Sequence, residues 1–479
     1  MDELTSRMGK FRFKGIVVIL LVFLAMAVIL FIELSGVHAI RHRNRPDLLP
    51  DEKTFTKAEV CATLEKKALL LYDSGEISSS EAYGEMAPIF DDMKPHAGDN
   101  YVWDGLVPDF STEGARQVFQ KYHNQLVAQG VEGFKLDECD SSDFTANWGF
   151  PDFSEFPGGM DGEQMHAIFG SLYQQTIHDL YLRRNQRTYG EVRQTGPFSA
   201  PLPYVLYSDL YDHTDFVRGM AGAAFSGILW TPEVRQADSK EELLRRIAAA
   251  VVSPQTVVNA YMVAMPPWMQ YDRVKNIEGE LLDDHQELTD MCRRLLEVRM
   301  QLIPHLYAAF MNYYETGIPP VRPLVMDFPN DAATKDIYDQ FMLGEGLMAA
   351  PLIANTGDSR NVYFPEGTWY ELKSGKKIVG GNWITITPAL DEVPLYVREG
   401  TLLAMAKPVE YVGAHEQYEL DVTAYGDADC SCRLACDDGD SAELPISTIP
   451  WMTLRANDGL LTIEKENPLY TIRSFRRVM

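Results

Sequence analysis

The 479-residue chain is poor in cysteine, in histidine and in positive charge, and each shortage removes a class of function. Six cysteines in so long a chain do not make a disulfide scaffold. Cys430, Cys432 and Cys436 crowd together near the C-terminus, which fits either one bridge in an oxidising compartment or free thiols of a β domain. Ten histidines provide no His-x-His or His-Glu-x-x-His spacing, so no metal centre is expected. His96, His166 and His213 are spread out and suit hydrogen-bonded polar roles. Against 69 Asp and Glu stand only 43 Lys and Arg, a net of −26, and a field of that sign repels polyanions. Nucleic acid is thereby excluded as the main partner. The chain also lacks a Gly-rich phosphate loop, a Gly-x-Ser-x-Gly elbow and a Rossmann fingerprint, and no cofactor is expected. No Asn-x-Ser/Thr acceptor, internal repeat or low-complexity tract occurs.

What is present is ordinary globular composition, 46% hydrophobic and 23% charged, with length for two or three domains. Ile16–Ile32 runs 17 residues without a charge behind Arg7, Lys10, Arg12 and Lys14. As a helix it would span about 26 Å, close to a thin bilayer. We expect residues 1–46 to be a basic leader plus an uncleaved transmembrane helix, the N-terminus cytoplasmic and the body extracytoplasmic or lumenal. The alternatives are a signal peptide cleaved near Val37-His38-Ala39, with secretion, and a buried soluble helix. Without residues 1–46 the body holds 36 basic and 66 acidic residues, a net of −30.

From Ala68 to Ala264 short apolar runs alternate with amphipathic stretches, the pattern of βα units with parallel strands. Ser111 or Thr112 caps a helix with Phe119, Tyr122, Leu126 and Val127 on one face, and Gly130 ends it. Candidate strands are Ala68–Tyr72, Val131–Leu136, Tyr204–Tyr207, Phe225–Trp230 and Thr256–Ala264. Four of them run into acids at their C-terminal ends, namely Asp73, Asp137, Asp209 and Glu233, and in barrels chemistry sits there. A helical stretch over 287–315, interrupted by Pro304, closes this region. Turn clusters at Pro365-Glu366-Gly367, Gly380-Gly381-Asn382 and Asp437-Asp438-Gly439-Asp440 then mark a β-sandwich from 343 onward. The expected fold is α/β: a (β/α)8-type TIM barrel over 47–342, then a proximal sandwich over 343–410 and a distal β region over 411–479.

Two carboxylates delivered by different strand ends are the minimum equipment for glycoside hydrolysis, one at the anomeric carbon and one at the leaving oxygen. Trp103, Trp148, Trp230 and Trp268 lie near strand ends and suit either sugar stacking or core packing. Asp140 and Asp143 suit either shaping a sugar pocket or capping a loop.

Gly133-Phe134-Lys135-Leu136-Asp137-Glu138-Cys139-Asp140, Tyr207-Ser208-Asp209 and Phe225-Ser226-Gly227 through Trp230 to Glu233 resemble glycoside hydrolase family 31, the α-glucosidase and α-xylosidase family. Val321-Arg322-Pro323-Leu324, Asp339-Gln340-Phe341-Met342-Leu343-Gly344 and Tyr363-Phe364-Pro365-Glu366-Gly367-Thr368-Trp369-Tyr370 extend the resemblance, which covers roughly 65–445. It implies a retaining α-glycosidase with Asp137 as nucleophile and Asp209 as acid/base, Asp212 being a competing acid. It further implies Arg193 as a sugar-hydroxyl contact and Glu233 at a substrate-binding position, and an oligosaccharide as partner. Lys-Leu-Asp-Glu-Cys-Asp departs from the family's more usual Trp-x-Asp-Met-Asn-Glu, and Tyr-Ser-Asp from Trp-x-Gly-Asp. By the same resemblance the barrel is incomplete on its N-terminal side. The alternative function is therefore a membrane-tethered, catalytically impaired carbohydrate-binding or scaffold protein.

Overall fold

A computed structural model describes residues 89–479 except 103–104, 138, 140–148, 208–211, 236, 260–265, 270–280, 354–356 and 467. The apolar run Ile16–Ile32, the expected strand Ala68–Tyr72, Trp103, Asp140, Asp143, Trp148 and Asp209 lie outside the described residues. Among the described residues no helix is long and apolar enough to cross a membrane.

A hairpin of β1 (Ala97–Val102) and β2 (Gly105–Pro108) leads into α1 (Glu113–Ala128). The Thr112 hydroxyl accepts the Ala115 N–H at 3.4 Å, and Gly130, at φ +97°, ends the helix in the left-handed region. The parallel strands β3 (Gly133–Leu136), β4 (Tyr189–Val192), β5 (Tyr204–Tyr207) and β6 (Trp230–Thr231) form one sheet in that order. β7 (Glu233–Val234) pairs in parallel with β8 (Val257–Val258). β6 and β7 are two halves of one strand divided by Pro232, whose missing N–H cannot join a ladder. The helices α2 (Gly162–Leu182), α3 (His213–Gly222) and α4 (Lys240–Ala250) cross between strands. On the outer face Leu136, Val192, Leu206 and Trp230 pack into the apolar layer beneath them.

Two expectations about the helices and strands of the barrel region need correction. Phe225 does not start a strand: Ala223–Ser226 is a 3-10 turn that tightens the end of α3, and Gly227, at φ +68°, reverses the chain before β6. Pro304 does not interrupt the long helix, and α5 runs unbroken over His285–Thr316. The lost backbone bond is tolerated because Leu302, Pro304 and Leu306 on the same stretch are buried.

The β domain begins at Val321, earlier than 343, because β9 (Val321–Pro323) pairs antiparallel with β10 (Phe341–Leu343). β11 (Leu347–Ala349), β12 (Arg360–Phe364), β13 (Thr368–Glu371), β14 (Lys377–Val379), β15 (Asn382–Ile386) and β16 (Leu395–Arg398) follow. Six of these form the sheet β14-β13-β16-β11-β10-β9, and the pair β12-β15 packs on it through Val362 and Phe364. The distal unit starts at Leu402 rather than 411, since β17 (Leu402–Ala406) pairs with β18 (Tyr418–Tyr425). It is a second sandwich. β17, β18 and β22 (Tyr470–Val478) face β19 (Cys430–Ala435), β20 (Trp451–Asn457) and β21 (Leu460–Ile463) across Leu420, Val422, Leu434 and Leu454. Cys430 and Cys432 are free thiols, as is Cys292.

One apolar core joins barrel and β domain. Phe216, Trp230, Leu243 and Ile247 of the barrel share it with Leu302 and Leu306 of α5 and with Phe341, Leu347, Tyr370, Leu403 and Tyr425.

Candidate active site

The register of the parallel sheet decides which side chains meet. Lys135 lies beside Glu191 and Glu191 beside Val205, while Tyr207 lies beside Thr231. Side chains alternate along each strand, so Lys135 and Asp137, Glu191 and Arg193, and Glu233 and Arg235 point inward as pairs separated by one apolar residue. The Lys135 ammonium reaches Glu233 Oε1 at 2.9 Å, across two intervening strands. In a flat sheet three strand spacings would part these strands by about 14 Å, so the contact requires the sheet to curl into a barrel wall.

Asp137 stands just past the C-terminal end of β3 with its side chain 41% exposed, open to an approaching molecule. Arg193 stands at the corresponding point of β4, where its backbone N–H donates to Leu136 O at 3.0 Å. From there Arg193 Nε donates to Asp137 Oδ1 at 2.6 Å. Burial alone works against the charge of Arg193, but the hydrogen bond to Asp137 overrides it and holds the guanidinium protonated well above its ordinary value. Both Lys135 and Arg193 sit over the ring of Tyr207, at 4.1 and 5.3 Å from its centre. Burial, reinforced by the Asp137 carboxylate, pushes the Tyr207 phenol far up, and it stays protonated. Glu191 is raised too, by burial and then by the charges of Glu233 and Asp137, against the opposing pull of Lys135.

Of the residues singled out in the sequence, the structure brings Asp137 and Arg193 into direct contact and ties Glu233 to the same cluster through Lys135. Asp209 and Asp140 lie outside the described residues. Asp212 is engaged elsewhere: its Oδ1 accepts the N–H groups of Thr214 and Asp215 at 2.8 and 3.1 Å and caps α3. These bonds, the one from Asp215 foremost, hold its carboxyl below the ordinary range, the wrong direction for a proton donor. Trp230 is a core residue, 4% exposed and edge-on to Phe216. Trp268 packs against the same core and lines a groove of about 550 Å³ with Thr289, Leu296, Met300 and Pro408, none of which belongs to the Asp137 cluster. Sequence reasoning passed over Lys135, Glu191, Tyr207, Arg235 and Asn259. The signal was there in the repeated polar-x-polar step at each strand end, which marks side chains pointing into a barrel. Among the described residues no three His, Cys, Asp or Glu side chains converge as metal ligands.

Parallel strands curled into a barrel wall, with a carboxylate and a guanidinium paired at adjacent strand ends and two β-sandwiches following, define the class: a TIM-barrel protein with a C-terminal β domain. The family model for the glycosyl hydrolases family 31 TIM-barrel domain matches residues 40–309, and that for the family 31 C-terminal domain matches 317–403. The chain belongs to glycoside hydrolase family 31.

Among its relatives, an α-glucosidase of Saccharolobus solfataricus is 24% identical over 339 residues, covering 64% of this chain and 47% of that protein. An α-xylosidase of Emericella nidulans is 23% identical over 415 residues, covering 80% and 49%. Among solved structures, a family 31 dextranase of Flavobacterium johnsoniae complexed with glucose superposes with a TM-score of 0.66 at 18% identity, over 80% of this chain and 50% of that one. A family 31 α-xylosidase of Xanthomonas citri gives 0.65 at 21% identity, over 79% and 44%. The chain thus spans half or less of the length of these relatives.

Proposed function

We propose that this chain carries the site of a retaining α-glycosidase that cleaves O-glycosidic bonds of an oligosaccharide through a covalent glycosyl-enzyme intermediate. The observation that carries the proposal is Asp137 itself, at the end of a barrel strand, open to solvent and held by Arg193 at 2.6 Å. In this scheme Asp137 attacks the anomeric carbon while Asp209 protonates the departing oxygen, and water then releases the sugar with Asp209 as base. The nucleophile must stay ionised, and an adjacent guanidinium that never deprotonates favours that state. Arg193 also fixes the rotamer of Asp137, leaving attack geometry less to chance. A retaining site needs the two carboxyl groups about 5 to 5.5 Å apart. The catalytic use of a relative named α-glucosidase or α-xylosidase fits this chemistry, and the sugar is drawn from the same class.

The test is turnover of a panel of aryl α-glucosides and α-xylosides by the full chain, with Asp137→Ala and Asp209→Ala beside it. Covalent trapping at Asp137 by a fluorinated α-glycoside, read by mass spectrometry, supports the scheme. Wild-type turnover that survives in Asp137→Ala defeats it, and sugar binding without cleavage turns the assignment to a carbohydrate-binding or scaffold protein. The apolar run Ile16–Ile32 with its basic flank supports a membrane attachment for this body, extracytoplasmic or lumenal. Resistance of the full chain to alkaline carbonate extraction checks it, and release into the supernatant counts against it.

A further inference from the structure

Glu233 stands where the family resemblance places a substrate contact, yet its side chain is 2% exposed and its oxygens are taken. Oε1 accepts from Lys135 at 2.9 Å, and Oε2 accepts from Arg235 Nε at 2.9 Å and Asn259 Nδ2 at 3.1 Å. A carboxylate has about four acceptor positions, and here three are filled from β3, from the end of β7 and from the end of β8. The remaining position sits on a side chain only 2% exposed, which leaves almost no surface on which a sugar hydroxyl could donate.

What Glu233 does hold is a cation. Lys135 and Arg193 share one aromatic ring, that of Tyr207, and like charges on one ring repel. Each is kept in place by a counter-charge, Lys135 by Glu233, which Arg235 shares, and Arg193 by Asp137. Without the Glu233 charge, Lys135 would be drawn to the remaining carboxylates of the same inner face, Glu191 on β4 and Asp137 at its own strand end. Competition for Asp137 would loosen its bond with Arg193.

We propose that Glu233 is a positioning residue and not a sugar contact: it pins Lys135 against Tyr207 and so reserves Arg193 for Asp137. The role rests on the assignment of Asp137 as nucleophile, but the pinning itself does not, and the experiment separates the two. Glu233→Gln, Glu233→Asp, Lys135→Met and the Glu233→Gln/Lys135→Met double variant are made in the full chain. Thermal unfolding without sugar is followed for all four, alongside kcat and KM on the aryl α-glycoside the wild type turns over. The expected kinetic result for Glu233→Gln is a fall in kcat of roughly tenfold to a hundredfold with KM nearly unchanged. Partial recovery is expected in Glu233→Asp, which restores the charge. In unfolding, the double variant is expected to lose much less than the summed losses of the single variants. A rise in KM with kcat intact in Glu233→Gln identifies a direct sugar contact and overturns the proposal. Additive unfolding losses overturn it as well, whatever the kinetics. If the wild type turns over no glycoside, the function proposed above fails, and the unfolding cycle alone decides for or against the Lys135–Glu233 link.

Discussion

At the scale of single residues, two carboxyl groups that look alike in sequence are set in opposite directions by their surroundings. Asp212 gains stability from two backbone N–H donors at the start of α3. Asp212→Ala is therefore expected to lower stability by about 1 kcal/mol, the usual worth of an N-cap, with kcat unchanged. Because the folded carboxyl titrates below the unfolded one, that contribution is present above the unfolded pKa. It disappears as pH falls through the folded value, so wild type and variant should converge in acid. Glu191 has the opposite sign. Its folded pKa is raised, so ionisation in place costs stability as pH climbs through that value. Glu191→Gln is expected to raise the melting temperature at neutral pH and to match wild type below the ordinary glutamate pKa. A neutral-pH loss would show that the Glu191 charge is paired rather than crowded by Glu233 and Asp137.

At the scale of elements, the sandwich of strand, turn and helix around Trp230 shows why one aromatic signal was ambiguous. A tryptophan next to an acidic strand end fits a sugar platform equally well on paper, but Gly219 on α3 lets the indole lie flat against that helix. A Cβ at Gly219 would fall 2.7 Å from the ring. Trp230→Ala is expected to cost about 3–5 kcal/mol, and Gly219→Ala about 1–3 kcal/mol, with KM of the folded fraction unchanged in both. Chemical denaturation with parallel kinetics checks this, and a KM effect without a stability loss would return Trp230 to the site. The sequence pattern exposed Tyr204–Tyr207 to the residue and the ends of α1, because a short apolar run and helix caps are local signals. It failed at Phe225 and Pro304, where the outcome is set by packing with distant segments. The Asp137–Arg193 pair was legible only through the family motif, since 56 residues separate the partners. The Lys135–Glu233 link, 98 residues apart, left no local trace beyond alternation.

At the scale of the whole molecule, barrel and β domain are tied on the face away from the candidate site. Arg187, just before β4, pairs with the buried Asp437 and donates to Ser441 O at 2.8 Å and to the Tyr307 hydroxyl at 2.9 Å. Burial and Asp437 together push the Tyr307 phenol up to about 12, so it remains a donor through the neutral range. Arg187→Met leaves Asp437 without its cation, and a loss of about 3–5 kcal/mol is expected in calorimetry. The same variant should keep its KM, because the knot lies at the opposite strand ends from Asp137 and Arg193.

The shared core has a consequence during synthesis. Phe216, Trp230 and Ile247 are made early, while Phe341, Tyr370, Leu403 and Tyr425, which cover them, come later in the chain. At about 5–20 residues per second, completing the stretch from 317 to 425 takes roughly 5 to 20 s. For that interval the nascent barrel carries a bare apolar flank that only the ribosome's surroundings can shield. Production of this protein should depend on chaperone supply and on codon pace across that window more than on the final stability of the finished chain.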